Sequence, residues 1–192
     1  MKIEIGQALK DSSADFIDFV WPTVQPMLGG GDIEAVEAVT AEQTTERLDW
    51  LAGIDAWHYL ADDGGMRGIA SRVQWMDPRF ERLWPWRTFT VRRSTRSGRP
   101  TEYDKRLAAL RKSELGLLYP HLTVQAYVRV KGEGPLDAVG IVRTCDLIDY
   151  IESGSPQVRN APSGETFFVV PWDDLSRSGL RVGEATATSE AA

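Results

Sequence analysis

Apolar and polar positions alternate with period two in some stretches of the chain and recur every three to four residues in others, and the two periods predict different elements. Arg87 to Ser94 (RTFTVRRS) alternates, placing Phe89 and Val91 on one face and Thr88, Thr90 and Arg92 on the other, the pattern of a half-buried strand. Asp49 to Leu60 (DWLAGIDAWHYL, interrupted at Gly53), the turn Asp62-Asp63-Gly64-Gly65 and Met66 to Trp75 (MRGIASRVQW) read as a β-hairpin. Further strands are expected over His121 to Val130, Ala138 to Thr144 and Thr166 to Pro171, the last of these closing the series. A helical period appears in DIEAVEAVTAEQTTERL, where Asp32 is the expected N-cap, Ile33, Val36 and Val39 recur on one face, and Glu34 and Glu37 sit in the first turns, where the helix dipole favours acids. Glu102 to Leu118 behind Thr101 as N-cap, and Asp146 to Ile151, complete the helices.

The flanks look different. Residues 1–31 read as an N-terminal extension: Asp15 to Val20 has room for one helical turn, Pro22 and Pro26 interrupt the next stretch, and Gly29-Gly30-Gly31 is a flexible link. Residues 32–182 form a single α/β domain, with SGSPQVRNAPSG as a loop and WDDLSRSG as a final turn. Residues 183–192 carry no large apolar side chain and are expected to be a disordered tail. The element order, helix, three strands, helix, strand and then further β and α pieces, predicts an α/β (α+β) fold with a mixed central sheet flanked by helices.

Composition narrows the function classes. Of 192 residues 42% are hydrophobic and 26% charged, which sets aside collagen-like, mucin-like and wholly disordered chains. A single cysteine, Cys145, excludes an internal disulfide framework and any CxxC metal or redox site, and it reads as a small buried residue rather than a nucleophile. No apolar run approaches the ~18 residues of a bilayer span and no signal sequence opens the chain, so a cytoplasmic protein with no membrane partner is expected. The net charge of −6 conceals an asymmetry: positions 1–65 hold thirteen Asp/Glu against three Lys/Arg, whereas positions 87–112 hold nine Lys/Arg against two acids. Arg92, Arg93, Arg96 and Arg99 flank a Ser/Thr/Gly loop, the composition of a backbone that approaches phosphates. The same arginines could instead be neutralised by the acidic N-terminal half. Trp75, Trp84 and Trp86 are placed either to stack on bases or to build core.

GKS/T-type phosphate loops, GxGxxG and GxSxG are absent. Asp55 stands out as an acid in an apolar strand, since a buried carboxylate must be paired, hydrogen-bonded or bound to metal. It is either a ligand facing a cleft or the partner of an arginine such as Arg72.

A helix bearing glutamate, a strand with Gly53-Ile54-Asp55, a second hairpin strand with a polar pair at i and i+2, then strand, helix and strand together resemble the PD-(D/E)XK nuclease-like superfamily, in particular its Holliday-junction-resolvase-like core. The resemblance covers roughly residues 32–130. It implies a restriction-endonuclease-like αβββαβ core, DNA as partner, and Mg2+ held by Asp55 with Glu34 or Glu37. At the superfamily's E-x-K position this chain has Arg72-Val73-Gln74, so Glu102 and Lys105 on the next helix are the candidates to supply the missing acid and lysine, with Gln74 at the old lysine position. The expectation is a nucleic-acid-binding or nucleic-acid-processing protein, a metal-dependent endonuclease if that site is complete. The alternative is a non-catalytic interaction module, a phage or plasmid accessory factor whose acidic face engages a protein partner or a second copy. A third reading is an enzyme with an arginine-rich site for a small phosphorylated ligand.

Overall fold

Among the described residues nine strands fall into two sheets, and their register decides which side chains meet. The structure, a computed structural model, describes residues 10–36, 53–61, 64–112 and 118–184. The strands are β1 (Asp32–Ala35), β2 (Ala56–Tyr59), β3 (Met66–Trp75), β4 (Thr88–Ser94), β5 (Pro120–Val130), β6 (Gly134–Arg143), β7 (Gln157–Asn160), β8 (Thr166–Pro171) and β9 (Arg181–Glu184). The α-helices among the described residues are α1 (Trp21–Met27), α2 (Glu102–Arg111) and α3 (Thr144–Ser153). A six-stranded sheet runs β1-β2-β3-β5-β6-β9, and a three-stranded sheet runs β4-β8-β7. Only the β3–β5 pair is parallel; the other pairings are antiparallel. The fold is thus mixed α+β.

In β5, Leu122 to Val128 are buried without interruption because both faces of this central strand are covered. On one face the N-terminal helical segment packs Phe16, Val20, Trp21 and Val24 against Ile69, Val73, Val124 and Val139. On the other, Tyr127 and Val142 meet Phe89, Val91 and Val170 of the small sheet, Leu147 and Ile148 of α3, and Trp172. The small sheet is tied down through an edge of β4: the Thr88 N–H donates to Tyr127 Oη (3.0 Å) and the Thr90 N–H to Gln125 Oε1 (3.3 Å). Side chains of β5 thus satisfy donors that an open edge would leave exposed.

Several local expectations change. Residues 32–35, expected to begin a helix, form an edge strand on β2, with Ile33 opposite His58 and Glu34 opposite Trp57. The rest of the expected helix from Glu37 onward lies outside the described residues. The third strand of the expected αβββαβ series, β4, joins the small sheet rather than the central one. Pro22 and Pro26 do not end the N-terminal helix: a π-helical turn (Phe16–Val20) runs straight into α1, with both prolines on the exposed side. Residues 10–31 are also anchored by Asp15, whose buried carboxylate accepts Trp75 Nε1–H (2.5 Å) and the Gly132 N–H (3.1 Å). Residues 157–160, expected as loop, are β7, and Gly183 and Glu184, expected in the tail, belong to β9 on the edge of β6.

Candidate functional site

The small sheet turns one face toward β3. Residues directly opposite on antiparallel strands share a face, so the pairings Arg92–Phe167 and Phe167–Arg159 set Arg92, Phe167 and Arg159 in one row across three strands. Thr90, Val169 and Gln157 form the next row. Arg72 and Gln74 reach toward this face from β3, and a groove of about 790 Å³ lies between them, with Trp86 and Asn160 in its wall.

Arg72 is the most connected group there. Its Nη1 donates to the Thr90 carbonyl (3.1 Å) and to Thr90 Oγ1 (3.3 Å), its Nη2 lies 3.7 Å from Glu102 Oε1, and its guanidinium sits 5.1 Å from the Phe167 ring centre. Arg92 lies 5.8 Å from the same ring, 3.9 Å from Glu102 and 3.4 Å from Glu165. Such ring contacts contribute ~0.5–2 kcal/mol each, depending on desolvation. Thr101 and Asp104 form a reciprocal capping box that fixes the start of α2 and so the position of Glu102. Burial pushes the Glu102 carboxyl up, but Arg72, Arg106 and Arg92 outweigh it and hold it at about 2. The centre of the site is therefore one ionised carboxylate among three guanidiniums.

The expected site residues do not converge as one constellation. Asp55, just before β2, accepts the Ser71 N–H on Oδ2 (2.7 Å), a cap on the β2–β3 ladder, while Arg72 is committed to Glu102 and Thr90. Glu34 is exposed on β1 and accepts Tyr59 Oη–H (2.8 Å). Gln74 lines the groove, Glu102 faces arginines, and Lys105 is half-buried on α2. Among the described residues no three His, Cys, Asp or Glu side chains gather as ligands, and the guanidiniums around Glu102 repel a cation. The described residues thus do not assemble the expected Mg2+ set.

The four expected phosphate-binding arginines are divided by the strand's pleat. Arg92 lies over Phe167, whereas Arg93 lies over Phe168, whose ring packs against the core on the reverse face (5.4 Å). Arg96 and Arg99 are exposed in the loop after β4. Of the three tryptophans, Trp75 donates to Asp15 and Trp84 to Asp137 (2.5 Å each), and Trp86 reaches the groove. Among the described residues the carboxylates that meet Arg72 and Arg92 are Glu102 and Glu165, not acids of the N-terminal half. Burial and the adjacent Asp146 push the Cys145 thiol up, away from a reactive thiolate. Phe167 and Arg159 escaped the sequence reading because nothing local shows which β7 residue faces which β8 residue. No protein-family model, curated protein or solved structure matches this chain.

Proposed function

We propose that this chain binds nucleic acid, and that the groove between β3 and the small sheet receives a strand. The observation that carries the reading is the Arg92–Phe167–Arg159 row with Arg72 beside it: cations spaced along an aromatic and apolar surface, with the amides Gln74, Gln157 and Asn160 at the walls. Cationic grooves with aromatic faces bind strands by phosphate contact and base stacking, with little dependence on sequence. Arg159 is exposed and donates to the neighbouring Gln157 (3.2 Å), so its side chain can turn to a phosphate without loss to the fold.

The test is a salt series on a labelled single-stranded oligothymidylate, read by fluorescence anisotropy. Each phosphate contact adds about −0.7 to the slope of log affinity against log salt. Arg159→Ala is expected to flatten the slope by about one such contact and to leave the melting temperature unchanged. Salt-insensitive binding by the wild type would sink the reading. A greater flattening by Arg96→Ala/Arg99→Ala than by Arg159→Ala would move the contact from the groove to the loop.

A further inference from the structure

A second concave site lies where β3, β5 and β9 begin and β6 ends. It has a volume of about 660 Å³ and is lined by Arg67, Arg143, Arg177 and Arg181 together with His121 and Tyr119. Arg143 is neutralised by Asp146 through two short hydrogen bonds (2.7 and 2.8 Å). The other three arginines have no carboxylate partner among the described residues. Arg67 instead donates to His58 Nδ1 (2.9 Å) and the Leu28 carbonyl (3.4 Å), and Arg181 donates to the Met27 carbonyl. These neutral acceptors, two of them carbonyls at the C-terminal end of α1, orient the guanidiniums and leave their charge intact. Burial chiefly, and after it the neighbouring Arg181 charge, push the Arg67 guanidinium down from its ordinary range.

The sheet also directs a neutral donor to this place. Between Gly68 and Ile69 the β3–β5 register shifts, so that Pro120 faces Gly68 and Leu122 faces Ile69, leaving His121 as an extra residue in a bulge. Its Nδ1 accepts the Gly68 N–H (3.3 Å), which leaves the neutral ring's proton on Nε2. The ring stacks on Tyr119 with centres 4.9 Å apart, and Leu28, Leu122 and Ile141 give the pocket an apolar wall.

We propose that this pocket binds a phosphorylated ligand, its phosphate dianion held by Arg67, Arg177 and Arg181 and its organic part set against Tyr119 and the apolar wall. Three guanidiniums with no carboxylate partner among the described residues match a dianionic phosphate better than a single carboxylate, and the planar fork of arginine fits phosphate oxygens in pairs. The site is separate from the groove, and its occupation does not depend on strand binding there.

Pyrophosphate is the probe, titrated into the full chain at constant ionic strength while the melting temperature is followed. A ligand that binds only the folded state raises that temperature progressively with concentration. The wild type is expected to gain several degrees, and Arg177→Gln/Arg181→Gln to lose most of that gain, with binding weakened at least ~10-fold. Arg177→Gln alone, at an exposed side chain with no hydrogen bond or ion pair among the described residues, guards against a folding effect at Arg181. Arg159→Ala is expected to keep the full response, which separates this site from the groove. Competition by thymidine monophosphate would identify a small phosphorylated molecule as the source. Stronger competition by a 5′-phosphorylated than a 5′-hydroxyl oligothymidylate would put the same phosphate on a strand end. A response no larger than that to potassium chloride, or one retained in both arginine variants, overturns the proposal.

Discussion

Gly140→Ala is expected to destabilise the fold by ~2 kcal/mol, a fall in melting temperature of roughly 4–8 °C for a chain of this size. Gly140 lies on β6 opposite Gln125, and a Cβ there would stand 2.5 Å from Trp172 Cε2 and 2.7 Å from Cζ2. The indole is only 3% exposed, with the Tyr127 ring centre 5.8 Å away and that of Phe89 6.0 Å away, so it has no free direction in which to retreat. Gly140 does not occupy the positive-φ region, and the cost is one of space rather than backbone strain. A double-mutant cycle checks this: in a Trp172→Leu background the Gly140→Ala penalty should largely disappear. A penalty of the same size in both backgrounds, measured by denaturant midpoint, would show that the clash is elsewhere.

The same contact marks the limit of what the sequence could show. Alternation was enough to delimit β4, which has one face against a core and one toward the groove, whereas β3 was legible from the turn signal before it and β8 from its short run of apolar residues. The start of α2 was legible from Thr101, whose capping box is local chemistry. Edge strands were not. All four residues of β7 are exposed, so no apolar rhythm betrays it, and β1 carries a helix-like spacing that pairing with β2 overrides. The N-terminal segment was misread for a related reason: Pro22 and Pro26, four residues apart, share the solvent side while Val20, Trp21 and Val24 face the sheet. At the site, Glu102 was expected to replace a missing acid beside a metal, and its arginine partners were not legible, since Arg72 and Arg92 reach it from strands of different sheets. Arg72, which stands where a superfamily acid was expected, reaches from β3 to Thr90 on β4 and so joins Tyr127 and Gln125 in linking the two sheets.

Glu102→Gln should separate the structural from the binding role of that cluster. The Glu102 carboxyl is held below its ordinary 4.5, at about 2, so the unfolded chain takes up its proton more readily than the folded one. The stabilisation is therefore complete above pH 4.5 and is lost as the pH falls toward 2. Each pH unit of that displacement corresponds to about 1.4 kcal/mol. With the side chain 26% exposed, solvent screening reduces the total to roughly 2–3 kcal/mol at neutral pH. The variant should be less stable than the wild type by that amount at pH 7, and the gap should close as the pH approaches 2. A gap independent of pH would assign the loss to packing instead of charge. Binding should move the other way. Removing the one carboxylate that Arg72, Arg92 and Arg106 share leaves three guanidiniums without it, so Glu102→Gln should bind oligothymidylate more tightly than the wild type at low salt, with a steeper salt slope. Weaker binding by a variant that is still folded would mean that these arginines serve only to join the two sheets, and that the groove is not where an anionic strand is held.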